Sequence, residues 1–426
     1  MRAGTVPAVE SGATGSARAG LWVRLARAAL CASLRRLEHG EVRLIDADGD
    51  LRFGRRSPEC PLGATLHIHD SSFYGDIAFG GSVGAGESYI GGAWSCDDLT
   101  ALVRIMVRNR AVLSGLEGGL ARLRRPLLQW FHHLHRNSRG GSARNIAAHY
   151  DLGNELYRLM LDETMAYSCG IFERDTSTLT EASLAKFDAA CRKLALTPAD
   201  HLLEIGSGWG GLAIHAAGRY GCRVTTTTIS RAQYDWARER IAAAGLGKRI
   251  TLLLEDYREL SGRFDKLVSI EMIEAVGARY LDGYFRQCSA LLAGDGAMLL
   301  QAITIQDQLY EQALRSVDYI QRYIFPGSFI PSVAALTASI GRSGDLKLFH
   351  LEDIGPHYAR TLAEWRRNFL THLPQVRALG YSDSFVRLWE FYLCYCEGGF
   401  AERQLGDVQM LLTKPHCRRD PITGLY

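Results

Sequence analysis

A cluster of glycines between residues 204 and 211 has the composition and spacing best suited to chemistry. The segment reads Glu204-Ile205-Gly206-Ser207-Gly208-Trp209-Gly210-Gly211. Glycines at this spacing let a tight turn bring the backbone close to a ligand, between a strand and the start of a helix. Gly206, Gly208 and Gly211 also satisfy the GxGxxG pattern of dinucleotide-binding proteins, which is weak on its own. The alternative is a tight turn that binds nothing.

The segments around this glycine loop alternate between two periodicities. Apolar or β-branched runs predict strands, and longer amphipathic runs predict helices. The predicted strands are 201–206, 222–230, 250–256, 266–271 and 297–305, and the predicted helices are 211–219, 231–244 and 279–293. This alternation predicts an α/β fold with a doubly wound parallel sheet.

Two features separate the possible ligands of the glycine loop. A dinucleotide fold places an acid at the end of its second strand to hold the ribose, whereas that strand here ends in threonines, 226–228. Glu204 lies in the first strand, where it can accept hydrogen bonds from cationic or amine groups. The arrangement resembles the first motif of class I S-adenosylmethionine-dependent methyltransferases, and Asp256, after the third strand, is expected to reach an adenosine. We therefore predict a Rossmann-like class I methyltransferase domain.

The first third of the chain has a different character. Residues 1–20 contain few large apolar side chains and predict a disordered tail. An amphipathic helix over 21–37, short strands joined by Asp-Gly turns over 41–94 and a helix over 97–113 are expected next. We predict a smaller mixed α+β domain over 21–130, a basic linker over 131–148, and the catalytic domain over 149–426.

Positive charge is concentrated in one stretch. The whole chain carries a formal charge of +3, but residues 101–148 contain nine arginines, no lysine and one acid, Glu117. Such a stretch is either a solvated helix and linker or a contact for polyanions such as phospholipid head groups. No nucleic-acid-binding motif accompanies it, and the histidines at 132, 133 and 135 lack nearby acids or cysteines, so we predict neither a nucleic-acid partner nor a metal. Ten cysteines without a CxxC pair indicate a reducing, cytoplasmic compartment.

Four further segments carry a specific resemblance. They read HYDLGNELYRLMLDETMAYSCGIF (149–172), LLEIGSGWGGLAIHAA (202–217), QRYIFPGSFIPS (321–332) and HYARTLAEWRRNF (357–369). Together they resemble the cyclopropane-fatty-acyl-phospholipid synthase family, which includes the mycolic acid cyclopropane synthases. The resemblance runs from about 145 to 412, and GESYIGGAWSCDDL (86–99) extends it toward the N-terminus.

The resemblance implies a reaction and a base. The cis double bond of an acyl chain attacks the methyl group of S-adenosylmethionine, a carbocation forms, and loss of a proton closes a cyclopropane ring. The site must exclude water, which would trap the cation. The family's base is a bound bicarbonate ion, held by backbone amides and side chains. The aromatic segment 319–329 is expected to line an acyl tunnel, or else to pack as ordinary core.

The resemblance also implies roles for individual residues. The cofactor contacts it implies are Tyr167, Ser168, Gly206, Gly208, Thr228, Gln233 and Asp256, and Glu204, Gly210 and Tyr257 complete the predicted cofactor site. Bicarbonate contacts are implied for the backbone amide of Cys169, for the acid Glu274, and for Ile303 and Tyr358. His149 is expected to order the loop over the site.

Two positions depart from the family's usual pattern. Gln301 stands where the family commonly has His, and Ala275 stands where it commonly has His after the acid. An amide can donate a hydrogen bond to an anion but cannot titrate near neutral pH. Bicarbonate binding through Gln301 is therefore expected with altered proton handling, and a methyl- or methylene-branched acyl chain remains an alternative product.

The substrate and location follow from this family. We expect an unsaturated acyl chain of a membrane phospholipid as substrate, a cytoplasmic enzyme on the inner face of an anionic membrane, and a homodimer. The domain over 21–130 is therefore expected to engage lipid, and the arginine-rich stretch and helix 21–37 are the candidates for membrane contact. The alternatives are methylation of a small soluble molecule and a lipid-binding protein without turnover.

Overall fold

The computed structural model describes residues 16–112, residue 115 and residues 153–422. These fall into two compact units. The smaller unit draws on Met1–Asp98 and Asn109–Arg124, and the larger on Leu99–Arg108 and Arg125–Tyr426, as far as each range is described. The helix at Leu99–Arg108 thus clusters with the larger unit, whereas the sequence placed it in the smaller domain.

The smaller unit is a four-stranded sheet with two helices. Its elements are α1 (Ser16–Leu34), β1 (Gly40–Asp46), β2 (Gly49–Arg55), β3 (Gly63–Ile68), α2 (Ser72–Ile90) and β4 (Trp94–Cys96), and the strand order is β2-β1-β3-β4. The predicted Asp-Gly turn joins β1 to β2, with Asp46 paired to Gly49. Strand β1 runs parallel to β3, and the other neighbours are antiparallel.

Two expectations for this unit were wrong. The helix α1 already begins at Ser16, inside the predicted tail. The segment 72–90, predicted as strands, is the helix α2, which is kinked at Gly81. Its glycines suggested turns, but Phe73 and Tyr89 bury their rings against Trp94, with centroids 5.7 and 5.1 Å away. This aromatic packing stabilises a helix that local glycine content disfavours.

The larger unit is built on a seven-stranded sheet. Its strands are β5 (His201–Ile205), β6 (Arg223–Thr227), β7 (Ile250–Leu253), β8 (Phe264–Ile270), β9 (Leu292–Ile305), β10 (Lys347–Asp353) and β11 (Leu405–Thr413), in the order β10-β11-β9-β8-β5-β6-β7. The strands β9, β8, β5, β6 and β7 are mutually parallel, and β11 lies antiparallel between β9 and β10. The predicted α/β class is confirmed, with an antiparallel edge that the sequence did not indicate.

Helices cover both faces of this sheet. They are α3 (Leu99–Arg108), α4 (Asn154–Met160), α5 (Leu179–Leu194), α6 (Gly211–His215, continued by a π-helix over Ala216–Tyr220), α7 (Arg231–Ala243), α8 (Leu281–Leu291), α9 (Asp307–Leu314), α10 (Tyr319–Tyr323), α11 (Val333–Ser343), α12 (Gly355–Thr371), α13 (Leu373–Ala378) and α14 (Asp383–Ala401). Alternate residues of each strand pack into one of two cores. Leu202 faces one and Leu203 the other.

The order of strands β8, β5 and β6 in the middle of the sheet indicates where a site lies. The chain leaves β5 toward β6 on one side, while β8 lies on the other, so the strand order reverses at the end of β5. In open α/β sheets, ligands bind at the carboxyl ends of the strands beside such a reversal. The glycine loop follows β5 directly, and Ser230 caps α7 by accepting a hydrogen bond from the Gln233 amide at 3.3 Å. This cap fixes Gln233 at the same edge.

The packing of α3 against α14 yields a stability prediction. A Cβ atom at Gly398 of α14 would lie 2.6 Å from Val103 Cγ1 and 2.8 Å from its Cβ, whereas one at Gly283 of α8 would meet nothing within 4 Å. Gly283→Ala should stabilise the protein by about 0.4–1 kcal/mol, since the unfolded chain loses freedom. Gly398→Ala should destabilise it by about 1–3 kcal/mol through overpacking. Urea unfolding of both variants checks this, and equal gains in the free energy of unfolding would contradict the close α3–α14 contact.

Candidate active site

The glycine loop adopts backbone conformations that side chains disfavour. Gly206, Gly208 and Gly210 have φ angles of +95°, +49° and +86°. The amides of Gly206 and Ser207 both donate to the Thr227 carbonyl, at 3.1 and 2.9 Å, which ties the loop to the end of β6. At its glycine positions the loop therefore lets a ligand approach the backbone closely, at the start of α6.

The other predicted cofactor residues follow the neighbouring strands. Thr228 comes directly after β6, and its hydroxyl donates to the Gln233 side chain at 2.9 Å. Asp256 follows β7 and precedes the 3-10 turn that begins at Tyr257. Arg258 Nη2 donates a hydrogen bond to Asp256 Oδ2 at 2.6 Å. A ribose hydroxyl that bonds to Asp256 would therefore bind beside this guanidinium. These residues and the glycine loop lie at one edge of the sheet.

Glu204 lies inside the sheet. Its side chain is only 4 % exposed and accepts a hydrogen bond from the Thr226 hydroxyl of the adjacent strand at 2.6 Å. Burial raises the pKa of the Glu204 carboxyl to about 8. The sequence assigned this acid to a ligand's amine, whereas in the fold its described partner belongs to the sheet.

The loop before α5 brings Tyr167, Ser168 and Cys169 to the same edge. The hydroxyl of Tyr167 hydrogen-bonds that of Tyr392 at 2.8 Å, and Ser168 accepts from the buried Lys186 ammonium at 2.7 Å. Burial, together with neighbouring carboxyl groups, raises the pKa of the Cys169 thiol well above its usual value. The thiol is therefore not poised as a nucleophile, which agrees with a role for its backbone amide.

Glu271, immediately after β8, is the centre of a buried hydrogen-bonded cluster. Its Oε1 accepts from the Cys169 amide and from Gln301 Nε2, both at 2.8 Å. Its Oε2 accepts from the Tyr358 hydroxyl at 2.5 Å. Burial raises the pKa of this carboxyl, and the bonds from Tyr358 and Cys169, with the positive charge of Lys186, lower it. Three groups that the resemblance assigned to bicarbonate thus converge on one side chain.

A relay of buried polar groups orients Gln301. Its Nε2 also donates to Asp407 Oδ2 at 2.9 Å, and its Oε1 accepts from Gln409 Nε2 at 2.9 Å. Gln409 in turn accepts from the buried Lys193 ammonium at 2.5 Å. Gln301 on β9 and Gln409 on β11 are register partners, so the sheet itself positions this relay. The amide of Gln301 is thereby fixed with its NH₂ group toward the carboxyl groups.

Two further carboxyl groups complete the cluster. Glu274 Oε1 accepts from the Ile303 amide at 2.6 Å, while its Oε2 is buried with no hydrogen-bond partner among the described residues, as is Oδ1 of Asp407. Burial, together with the nearby Glu271, raises the pKa of Glu274 to about 8. Burial and the charges of Glu271 and Glu274 raise the pKa of Asp407 well above its usual value.

Aromatic side chains adjoin the cluster. The Phe325 ring lies 6.3 Å from that of Tyr167, and the Phe329 amide donates to the backbone carbonyl of Glu274 at 3.1 Å. The ring of Tyr358 packs against that of Phe400 in a tilted arrangement, with centroids 4.4 Å apart. The predicted tunnel segment thus lies against the acidic residues, among buried aromatic side chains.

Sequence reasoning found part of this site. It identified Cys169, Glu274, Gln301, Ile303 and Tyr358, which the fold brings together. His149 lies outside the described residues. The sequence did not identify the other buried polar residues of the cluster, which are Glu271, Asp407, Gln409, Lys186 and Lys193. A signal existed for Glu271 alone, as an acid at the end of a predicted strand three residues before Glu274.

The comparisons with known proteins agree with the fold. The family model described as mycolic acid cyclopropane synthetase matches residues 137–410. The fold is that of a class I methyltransferase, and the chain belongs to the mycolic acid cyclopropane synthetase family. It is an S-adenosylmethionine-dependent methyltransferase of the cyclopropane synthase type.

Curated relatives match most of the chain. It is 36% identical to the tuberculostearic acid methyltransferase UfaA1 of Mycobacterium tuberculosis, over 88% of each protein. It is 34% identical to the cyclopropane-fatty-acyl-phospholipid synthase of Escherichia coli, over 82% of this chain and 88% of that protein. Among solved structures, the mycolic acid cyclopropane synthase CmaA1 complexed with SAH and CTAB is 31% identical, with a TM-score of 0.60, and covers 64% of this chain and 98% of that one.

The burial of Glu204 yields a prediction for pH dependence. Because its folded pKa of about 8 lies above the usual 4.5, its contribution to stability is complete below pH 4.5 and is lost as the pH rises through 8. Glu204→Gln keeps an acceptor for Thr226 but cannot ionise. The wild-type free energy of unfolding should fall more steeply than the variant's across this range, by up to about 1.4 kcal/mol per pH unit.

Unfolding in urea at several pH values measures this difference. The matched control is Glu239→Gln, at an exposed position of α7. Parallel pH profiles for wild type and Glu204→Gln would show that Glu204 is ionised without penalty in the fold.

Proposed function

We propose that the chain transfers a methylene group from S-adenosylmethionine to the cis double bond of an unsaturated phospholipid acyl chain, which forms a cyclopropane. The observation that carries this proposal is the buried cluster of carboxyl groups beside the glycine loop. The two are close, because a Cβ atom at Gly206 would lie 3.2 Å from the side chain of Met272. Met272 lies between Glu271 and Glu274 in the sequence. A carbocation formed there needs a proton acceptor and the exclusion of water. The carboxyl groups offer the first, and the rings of Phe325, Tyr358 and their neighbours favour the second.

The residues at the edge of the sheet fit S-adenosylmethionine. The open backbone of the glycine loop, the Thr228–Gln233 pair and Asp256 would hold it, and Tyr167 and Ser168 would close over it. When bound, S-adenosylmethionine supplies an electrophilic methyl group on a sulfonium. The chain's own part is to orient the alkene, keep water out and accept the proton.

A bicarbonate ion, in contrast, does not fit the donors as they are arranged. The Cys169 amide, Gln301 Nε2 and the Tyr358 hydroxyl all donate to Glu271, and the Ile303 amide donates to Glu274. A further anion would lie beside three buried carboxyl groups. None of these four donors would be available to it, because each already donates to Glu271 or Glu274. The proposed reaction therefore does not use bicarbonate.

A methyl- or methylene-branched acyl chain is the second candidate product. Two observations favour it: the similarity to a protein named tuberculostearic acid methyltransferase, and Gln301 at the position where a histidine was expected. Both candidates share the transfer of a methyl group to a lipid alkene, and they differ in which bond forms when the proton leaves.

The substrate implies a peripheral place on an anionic membrane, at the cytoplasmic face. Within the described residues, no helix is both long and apolar enough to cross a bilayer.

Of the nine predicted basic contacts, Arg104 and Arg108 are paired with Glu402, at 2.7 and 2.6 Å. Arg110 is exposed, and the other six lie outside the described residues. We infer that α1 contributes to this contact through Leu21, Trp22 and Leu25, which are exposed. A homodimer remains a prediction.

Product analysis tests the proposed function. The protein is incubated with S-adenosylmethionine and liposomes of mono-unsaturated phospholipid, and the fatty acids are then identified. We expect a gain of one CH₂ with loss of the alkene protons. A gain with a retained alkene would establish the second candidate, and no gain with any unsaturated phospholipid would contradict both.

A matched pair of variants shows that any product comes from this site. Gly206 and Gly245 both have positive φ, but only Gly206 lies in the glycine loop. Gly206→Ala should abolish product because it distorts the cofactor site. Gly245→Ala carries the same kind of backbone strain, meets nothing within 4 Å, and should leave activity intact.

The exposed apolar face of α1 yields a membrane prediction. Trp22 and Leu25 are 64% and 52% exposed, and burial of each side chain in a membrane is worth about 1.5–3 kcal/mol. The double variant Trp22→Ser/Leu25→Ser should bind anionic liposomes at least about tenfold more weakly in a sedimentation assay.

The control is Leu379→Ser, since Leu379 is 46% exposed in the larger unit. This variant should bind as the wild type does. Unchanged liposome binding by the α1 double variant would remove α1 from the membrane contact.

A further inference from the structure

Glu271 receives hydrogen bonds from the donors of the site. It lies after β8, and its carboxylate accepts three hydrogen bonds, from Cys169, Gln301 and Tyr358, at 2.8, 2.8 and 2.5 Å. The sequence resemblance assigned those same three residues to an exogenous anion. A side-chain carboxylate has the charge and the oxygen spacing of a bicarbonate edge, so one group can take the place of the other.

The backbone holds this carboxylate in an unusual way. Glu271 has a φ of +47°, in the left-handed region that favours glycine. Its amide donates to the Gln301 carbonyl at 2.9 Å, which fixes the residue at the end of β8. Strain of this kind persists where the surrounding structure over-determines it, and it clusters at functional positions. The conformation aims the side chain into the cluster.

The environment favours the ionised form at Glu271 over its two neighbours. Glu271 accepts three hydrogen bonds, whereas Glu274 and Asp407 each leave one buried oxygen without a partner in the described residues. Hydrogen bonds to a carboxylate stabilise its charged form. The neighbouring acids therefore hold their protons more tightly, and the buried Lys186 ammonium adds a compensating positive charge.

We propose that Glu271 is the catalytic base, a carboxylate built into the chain where the family resemblance implied bicarbonate. The inference rests on the proposed function. The alkene π electrons form a C–C bond to the methyl carbon while the C–S bond breaks and its electron pair goes to sulfur. Glu271 then takes one proton from the transferred carbon, and the C–H electron pair closes the ring. The proton passes to solvent after the product leaves, so one proton is released per turnover.

Two substitutions at this position separate a base from a structural acid. Glu271→Gln keeps the size and an oxygen acceptor but has no basicity. Glu271→Gly removes the carboxylate at a φ that suits glycine, and leaves the three donors free for a small anion. The control for replacing a buried glutamate is Glu397→Gln, because Glu397 is buried on α14 and pairs with Arg366.

The experiment compares turnover of unsaturated phospholipid in buffer freed of carbon dioxide and in the same buffer with added bicarbonate. The wild type should turn over equally in both. Glu271→Gln should lose at least about 100-fold in rate, the size of a general-base contribution, and bicarbonate should not restore it. Glu271→Gly should be equally slow without bicarbonate and should recover at least about tenfold with it. Glu397→Gln should behave as the wild type.

Binding measurements keep the result independent of turnover. All variants should bind S-adenosylhomocysteine with the wild-type affinity in calorimetry. Bicarbonate should raise the melting temperature of Glu271→Gly but not that of the wild type, since only the variant has an open anion site.

Three outcomes would overturn the inference. They are a wild-type rate that falls when bicarbonate is removed and recovers when it is added, a Glu271→Gln variant that keeps most of its activity, and a wild-type melting temperature raised by bicarbonate as much as that of the glycine variant. If no lipid is methylated in any buffer, the proposed function fails, and the melting temperatures still decide whether Glu271 fills the anion site.

Discussion

Glu271 and Asp407 share one desolvated, hydrogen-bonded network at the carboxyl end of the central strands, with Glu274 close by, and the placement of the other elements depends on keeping Glu271 compensated. An ionised carboxylate removed from water is unfavourable unless donors compensate it. Here the donors to Glu271 come from three separate places, the Cys169 loop, β9 and α12, and the Lys186 side chain on α5 adds a compensating positive charge. Each of these elements must dock correctly before Glu271 is compensated.

The antiparallel strand β11 has a particular part in this arrangement. It places Asp407 opposite Ile303 and Gln409 opposite Gln301 on the neighbouring strand β9. The relay from Lys193 through Gln409 then fixes which end of the Gln301 amide faces the acids. A purely parallel sheet would leave β9 at its edge and the amide of Gln301 free to turn. The edge strand thus contributes to chemistry as well as to the core.

Local sequence was sufficient where periodicity and motif coincide. The strands around the glycine loop and the α/β class were predictable, because apolar runs alternate with helical ones and the glycines mark the turn after β5. Asp407 and Gln409 could not be found in this way, since they lie more than a hundred residues from their partners and on a strand without a motif. Glu271 was visible as an acid, but its meaning depends on donors that only the fold brings to it. The helix α2 was missed because buried aromatic contacts, rather than local propensity, decide its conformation.

The fate of the transferred methyl hydrogens tests the central claim, that a proton is removed from the transferred carbon within the buried site. The enzyme is given S-adenosylmethionine labelled with three deuterons in its methyl group, together with an unsaturated phospholipid, and the lipid product is examined by mass spectrometry and NMR. A product that retains two of the three deuterons on the added carbon and lacks the original alkene is the predicted result. A product that retains all three would mean that the proton leaves from elsewhere on the acyl chain, and would contradict the account.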